Sequence, residues 1–78
     1  MPTALLNGIT FPIPLANLLK TLNLVKSTSD AKRKIRAGSV VLSGVKVTDD
    51  AMIIPSVETL NNQIIRLSKK EIFKFIQQ

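Results

Sequence analysis

The chain contains no cysteine, histidine, tryptophan or tyrosine in its 78 residues, and only five acidic side chains. Without Cys there is no disulfide, and with neither Cys nor His the usual zinc ligands are missing. His is the side chain most used for proton transfer near neutral pH, and Cys is the most nucleophilic one there. These residues are therefore not expected to form an independent enzyme, and we assign no catalytic residue, no metal ligand and no cofactor. A GxGxxG loop, a P-loop and a nucleophile elbow do not occur in the sequence. Asp49-Asp50 reads as a solvated turn former, not as a divalent-ion site. No apolar run approaches the roughly 18 residues of a membrane span. The start of the chain has no basic segment ahead of an apolar one, so a soluble, cytoplasmic protein is expected.

What the sequence does have is positive charge. Eleven Lys or Arg face five Asp or Glu, for a formal net charge of +6 and a pI near 10.2. That balance points to a polyanionic partner, either nucleic acid or an anionic membrane surface. Leu, Ile, Val and Phe number 28 of 78, well above the roughly 20% below which a charged chain stays disordered. One small, thin core follows, held by packing alone.

Along the chain, residues 1–13 hold two of the four prolines and no charged side chain, and are expected as an extended lead-in or linker; the domain proper is expected over 14–78. Pro14 can open a helix, and Leu15, Leu18, Leu19 and Leu22 follow with the spacing of one apolar helical face. Asn23 suits a left-handed terminus. A second helix start lies at Ser27, followed three residues later by Asp30 in the manner of a capping box; Ser29 is a nearly equal candidate for the cap. This helix should run to about Ala37 and stop at Gly38. Val40 to Leu42, Ser43-Gly44 and Val45 to Val47 read as a hairpin. Met52 to Ile54, Gln63 to Leu67 and Ile72 to Ile76 are further apolar runs, and Ser68-Lys69-Lys70-Glu71 is a basic hairpin tip. The expected class is α+β: two N-terminal helices packed on a small, largely antiparallel twisted sheet.

Five of the eleven basic residues, Lys26, Lys32, Arg33, Lys34 and Arg36, fall between Lys26 and Arg36, opposed locally only by Asp30. At about 100° per residue, Ala31 and Ile35 share the core face. Lys32, Arg33 and Arg36 then form an outward basic arc, with Lys26, Ser27 and Ser29 at the N-terminal end and Lys34 nearer the core boundary. A basic helix face is often merely solvated. Here the acids that normally intersperse such a face are missing, and Lys69 and Lys70, with Arg66 close by, form a second basic group; that favours a phosphate-binding surface. The helix lacks an exposed aromatic or large apolar stripe, so membrane binding is not expected. Phe73 and Phe75 alternate as core residues do, and backbone and shape recognition is expected over base stacking.

The run from Leu22 to Val40, followed by Val45-Lys46-Val47-Thr48-Asp49, resembles the RNA-binding domain first described in ribosomal protein S-four. That pattern is a Leu-rich helix, a serine-started helix with Ala-Arg-Arg-x-Ile, a Gly and a Val-rich hairpin. The ending, Arg66-Leu67-Ser68-Lys69-Lys70-Glu71-Ile72, is most similar to the closing hairpin in the C-terminal domain of bacterial-type tyrosyl-tRNA synthetases. Asn23, Lys32, Ser43 and Ser68 depart from the common residues, and none of these changes removes positive charge. The resemblance implies RNA as partner, with tRNA(Tyr) as the expected RNA, gripped through Lys26, Ser27, Ser29, Lys32, Arg33, Arg36, Lys46, Lys69 and Lys70. It also implies a parent tyrosine-tRNA ligase that is a homodimer through a catalytic domain. The HIGH-type and KMSKS-type signatures of that domain do not occur in these residues, so ATP binding and aminoacylation would belong to the parent chain. The same domain in a pseudouridine synthase, a ribosomal protein or a stand-alone RNA binder is the alternative; a small protein-interaction domain is the alternative from another class.

Overall fold

Leu15, Leu18 and Leu19 are completely buried, and they turn one face of helix α1 (Leu15–Thr21) into the centre of the core. In the computed structural model, which describes residues 2–77, α1 packs against α2 (Thr28–Arg36), whose inward residues are Ala31 and Ile35. Both helices close in the same way. Asn23 at φ 60° and Gly38 at φ 77° supply the left-handed residue, and paired backbone bonds complete a Schellman motif at each end: Leu24 N to Leu19 O with Asn23 N to Lys20 O, and Ser39 N to Lys34 O with Gly38 N to Ile35 O. Pro14 lies just outside the helix as its cap residue, one place earlier than expected.

Seven short strands accompany the helices among the described residues: β1 (Thr3–Leu5), β2 (Ile13–Pro14), β3 (Val41–Leu42), β4 (Val45–Lys46), β5 (Ile53–Ile54), β6 (Ile64–Arg66) and β7 (Ile72–Ile76). Five of them form one sheet in the order β1-β7-β6-β3-β4. All its pairings are antiparallel except β1 with β7, which is parallel. The class is thus α+β with a mostly antiparallel sheet, as the sequence indicates. β5 pairs with β2 in a separate two-stranded ribbon and does not extend the main sheet. Ile53 and Ile54 belong there because the chain entering α1 offers Ile13 as a partner for Ile54, and Leu15 N donates to Met52 O at 2.8 Å.

Residues 3–6 lie within the expected lead-in, yet they are built into the core. Ala4 and Leu6 are buried, Ala4 sits opposite Phe75, and Leu6 N donates to Ile76 O at 2.8 Å. The outermost bounds of the two expected segments, Met1 and Gln78, lie outside the described residues. The inner face of the main sheet carries Ile65 and Phe75, both fully buried, with Phe73 packed against the same core. Among the described residues no helix is long and apolar enough to cross a membrane.

Candidate nucleic-acid interface

Helix α2 starts where the hydroxyl of Ser27 accepts the backbone N–H of Asp30 at 3.1 Å. That bond satisfies one first-turn donor and decides between the two serines: Ser29 lies inside the helix, exposed. With Ala31 and Ile35 buried, Lys32, Arg33 and Arg36 are exposed and Lys34 is half-buried, the disposition expected from helical periodicity. Arg33, Lys34 and Arg36 form the last turn, where cations also complement the negative end of the helix dipole. Asp50, from the segment between β4 and β5, reaches this turn: its Oδ2 accepts from Arg36 Nε at 2.6 Å, while the Arg36 side chain stays 68% exposed. The neighbouring Asp49 carboxylate accepts the N–H of Ala51 at 2.9 Å. Each of the two adjacent acids thus has a local structural partner.

The outer face of the main sheet continues this basic end of α2. Val41 is paired with both Lys46 and Arg66, and Arg66 in turn with Ile72, so Lys46, Val41, Arg66 and Ile72 form one row across four strands on one face. Strand alternation adds Ile64 to that face and, opposite it, Lys74. The Lys46 side chain lies over Gly38, where an added Cβ would stand 3.4 Å from its Nζ. Arg66 lines a depression with Ser39, Ser68 and Lys69. Gly38 and Ser39, just past the end of α2, are therefore where the strand cations Lys46 and Arg66 and Lys69 of the β6–β7 turn come together.

Of the residues expected at the interface, Lys46 and Lys69 are gathered around this junction, and Arg36 lies in the helical turn that precedes it, paired with Asp50. Lys32 and Arg33 are exposed along the helix, and Lys26 and Ser27 lie at its far end, about 13 Å away for nine residues. Lys70 is exposed at the β6–β7 tip but does not line the depression. Among the described residues no group of His, Cys, Asp or Glu could hold a metal ion.

No family model matches the chain. It is, however, similar over most of its length to tyrosine–tRNA ligases of several bacteria. That of a Synechococcus species is 30% identical over 77 residues, covering 99% of this chain and 19% of the relative. The Prochlorococcus marinus protein is 35% identical over 75 residues, covering 96% and 18%. The Thiobacillus denitrificans protein is 44% identical over 64 residues, covering 82% and 16%. This is a tyrosine–tRNA ligase-like domain. The chain spans less than a fifth of the length of these relatives.

Two residues at the ligase-like domain's basic face take their roles from the fold more than from the local sequence, Arg66 and the acid Asp50. Arg66 is flanked by Ile65 and Leu67, and only its place on the outer side of β6 makes it the link between the row through Lys46 and the depression at Lys69. The alternation Ile64-Ile65-Arg66, exposed-buried-exposed, carries that signal. Asp50, which opposes Arg36, is 14 residues away in sequence and gives no local sign of it.

Proposed function

We propose that this chain is an RNA-binding domain of the ribosomal protein S-four type, serving a tyrosine-tRNA ligase as its tRNA(Tyr)-gripping part in the cytoplasm. The observation that carries this reading is the convergence of Lys46, Arg66 and Lys69 around Gly38-Ser39, just past the end of a capped basic helix whose last turn holds Arg33, Lys34 and Arg36. A cationic surface of this kind suits phosphates, and the polyanion in the name of the related ligases is a tRNA. Lys32, Arg33 and Arg36 hold one stretch of backbone, and Lys46, Arg66 and Lys69 the next, with Lys26 and Lys70 extending the two ends; Ser27 and Ser29 lie beside Lys26, where Ser27 keeps the helix start in place. Aminoacylation, ATP binding and dimerisation fall to a catalytic part of the ligase.

Binding of this kind releases counterions. With about 4 to 6 phosphates neutralised, log Kd against log salt should have a slope of magnitude about 3 to 5. Fluorescence anisotropy with tRNA(Tyr) and with a tRNA of short variable arm, across a salt series, tests both the mechanism and the preference. An affinity indifferent to salt overturns the phosphate grip, and equal affinity for the two tRNAs overturns the assignment to tRNA(Tyr).

A further inference from the structure

The outer sheet face holds more than charge. Val41, Lys46, Ile64, Arg66 and Ile72, with Ser43 at one end, line an open groove of about 640 Å³, a size that accommodates a small organic ligand. No Asp or Glu lines it. Ile64 is 40% exposed at its floor, next to Arg66 on the same strand face, and Arg66 is bracketed across the strands by Val41 and Ile72. Asn62 and Gln63 close the same end as Ser43, and the Ser43 hydroxyl donates to Gln63 Oε1, fixing that rim.

A phosphate backbone alone has no use for an aliphatic floor. In an A-form duplex the bases are stacked inside and only phosphate, ribose and groove edges are presented; an unpaired nucleotide instead offers a flat, weakly polar base joined to an anionic phosphate. Such a nucleotide matches a groove with an aliphatic floor and cationic sides, and the guanidinium of an Arg is itself a platform on which bases stack. We infer that this groove takes an unstacked nucleotide of single-stranded or looped RNA, its base against Val41, Ile64 and Ile72 and its phosphates on Lys46 and Arg66. The inference rests on the reading of the chain as an RNA binder and adds a preference for unpaired RNA to it. The α2 arc holds backbone of any pairing state; the groove discriminates.

The test uses the whole chain with two fluorescently labelled RNAs of equal phosphate number, an uninterrupted duplex and a hairpin with an unpaired loop, plus the same hairpin with 2-aminopurine in the loop. The unmodified chain should prefer the hairpin and change the aminopurine emission. Ile64→Ser should weaken hairpin binding about three- to tenfold, as the loss of one partly buried aliphatic contact does, and leave duplex binding unchanged. Should Ile64→Ser not fold, the aminopurine response of the unmodified chain decides. Equal affinity for both RNAs with no aminopurine response overturns the groove and leaves the phosphate grip standing. Failure to bind either RNA overturns both readings. Binding of an acidic amphipathic peptide that is sensitive to Ile64→Ser, without any hairpin preference, assigns the groove to a protein partner and overturns the nucleotide.

Discussion

Arg36 and Asp50 form an ion pair at 2.6 Å across the end of α2, with the arginine side chain still 68% exposed. An exposed pair of this kind contributes about 0 to 1 kcal/mol to stability, so its removal should hardly move the melting temperature. Its effect on a polyanion is larger, because Asp50 both occupies Arg36 and places a negative charge beside the last turn of the basic helix. Asp50→Asn should raise RNA affinity about two- to fivefold at low salt and less at high salt. Anisotropy titrations at two ionic strengths check this; an unchanged affinity would remove Arg36 from the interface.

The basic arc itself should be separable from the fold. Arg33→Glu combined with Lys32→Glu reverses two exposed charges on the side of α2 away from Ala31 and Ile35. RNA binding should fall by at least about tenfold, with the salt slope reduced by roughly 2, while the circular dichroism spectrum and melting curve stay close to those of the parent. Loss of folded structure would contradict the helical register described above.

The two serines at the start of α2 should behave differently. Ser27 Oγ accepts the Asp30 N–H, whereas Ser29 is exposed within the first turn. Ser27→Ala should cost about 1 kcal/mol, a fall in melting temperature of about 4 to 8 °C for a domain of this size. Ser29→Ala should change it little. Thermal melts of the two variants give the comparison directly.

These contrasts also mark what can be read from the sequence. The helices were legible because their signals are local: a four-leucine stripe, a serine cap with an acid three residues on, and a residue suited to positive φ after each helix, Asn23 and Gly38. The β3–β4 turn was legible for the same reason, since Ser43 and Gly44 both adopt positive φ. β1 was not, because Thr3 to Leu5 gains its strand character only from a partner some 70 residues away, Thr3 lying opposite Lys74. The apolar run Met52 to Ile54 did mark the position of β5, but not its partner: β2 and β5, two residues each, exist by pairing with one another. At the candidate site the helical arc followed from periodicity, while Arg66 and Asp50 needed strand register and loop placement.

Gly38 couples the helix end to the sheet cations. Its φ of 77° strains any side chain, and Lys46, 3.4 Å from Nζ to an added Cβ, limits how far that side chain can extend. Gly38→Ala should cost about 1 to 2 kcal/mol through the left-handed backbone alone, and it should leave Lys46 and RNA affinity close to those of the parent, since its Cβ would only touch the mobile end of that side chain. Asn tolerates this backbone region better and should restore part of the stability, but its amide reaches beyond Cβ into the space of Lys46 and should lower RNA affinity. Chemical denaturation and anisotropy on the two variants separate these effects.

The contribution of residues 3–6 is the most direct check on the extent of the domain. Leu5 and Leu6 are adjacent and chemically identical, but Leu5 is 46% exposed and Leu6 is 2% exposed. Truncation to Ala leaves the Leu6 N–H bond to Ile76 O intact, so the comparison isolates side-chain burial. Leu6→Ala should cost about 2 to 5 kcal/mol, comparable to the roughly 3 to 5 kcal/mol that a single core of this size supplies, and should leave much of the chain unfolded at ambient temperature. Leu5→Ala should stay within about 1 kcal/mol of the parent, since little apolar surface is withdrawn from water at that position. Urea titrations of both variants measure the difference. Equal, small effects would return the segment to a linker; a large effect at Leu6 alone places it in the core, with β7 as the strand that holds it there.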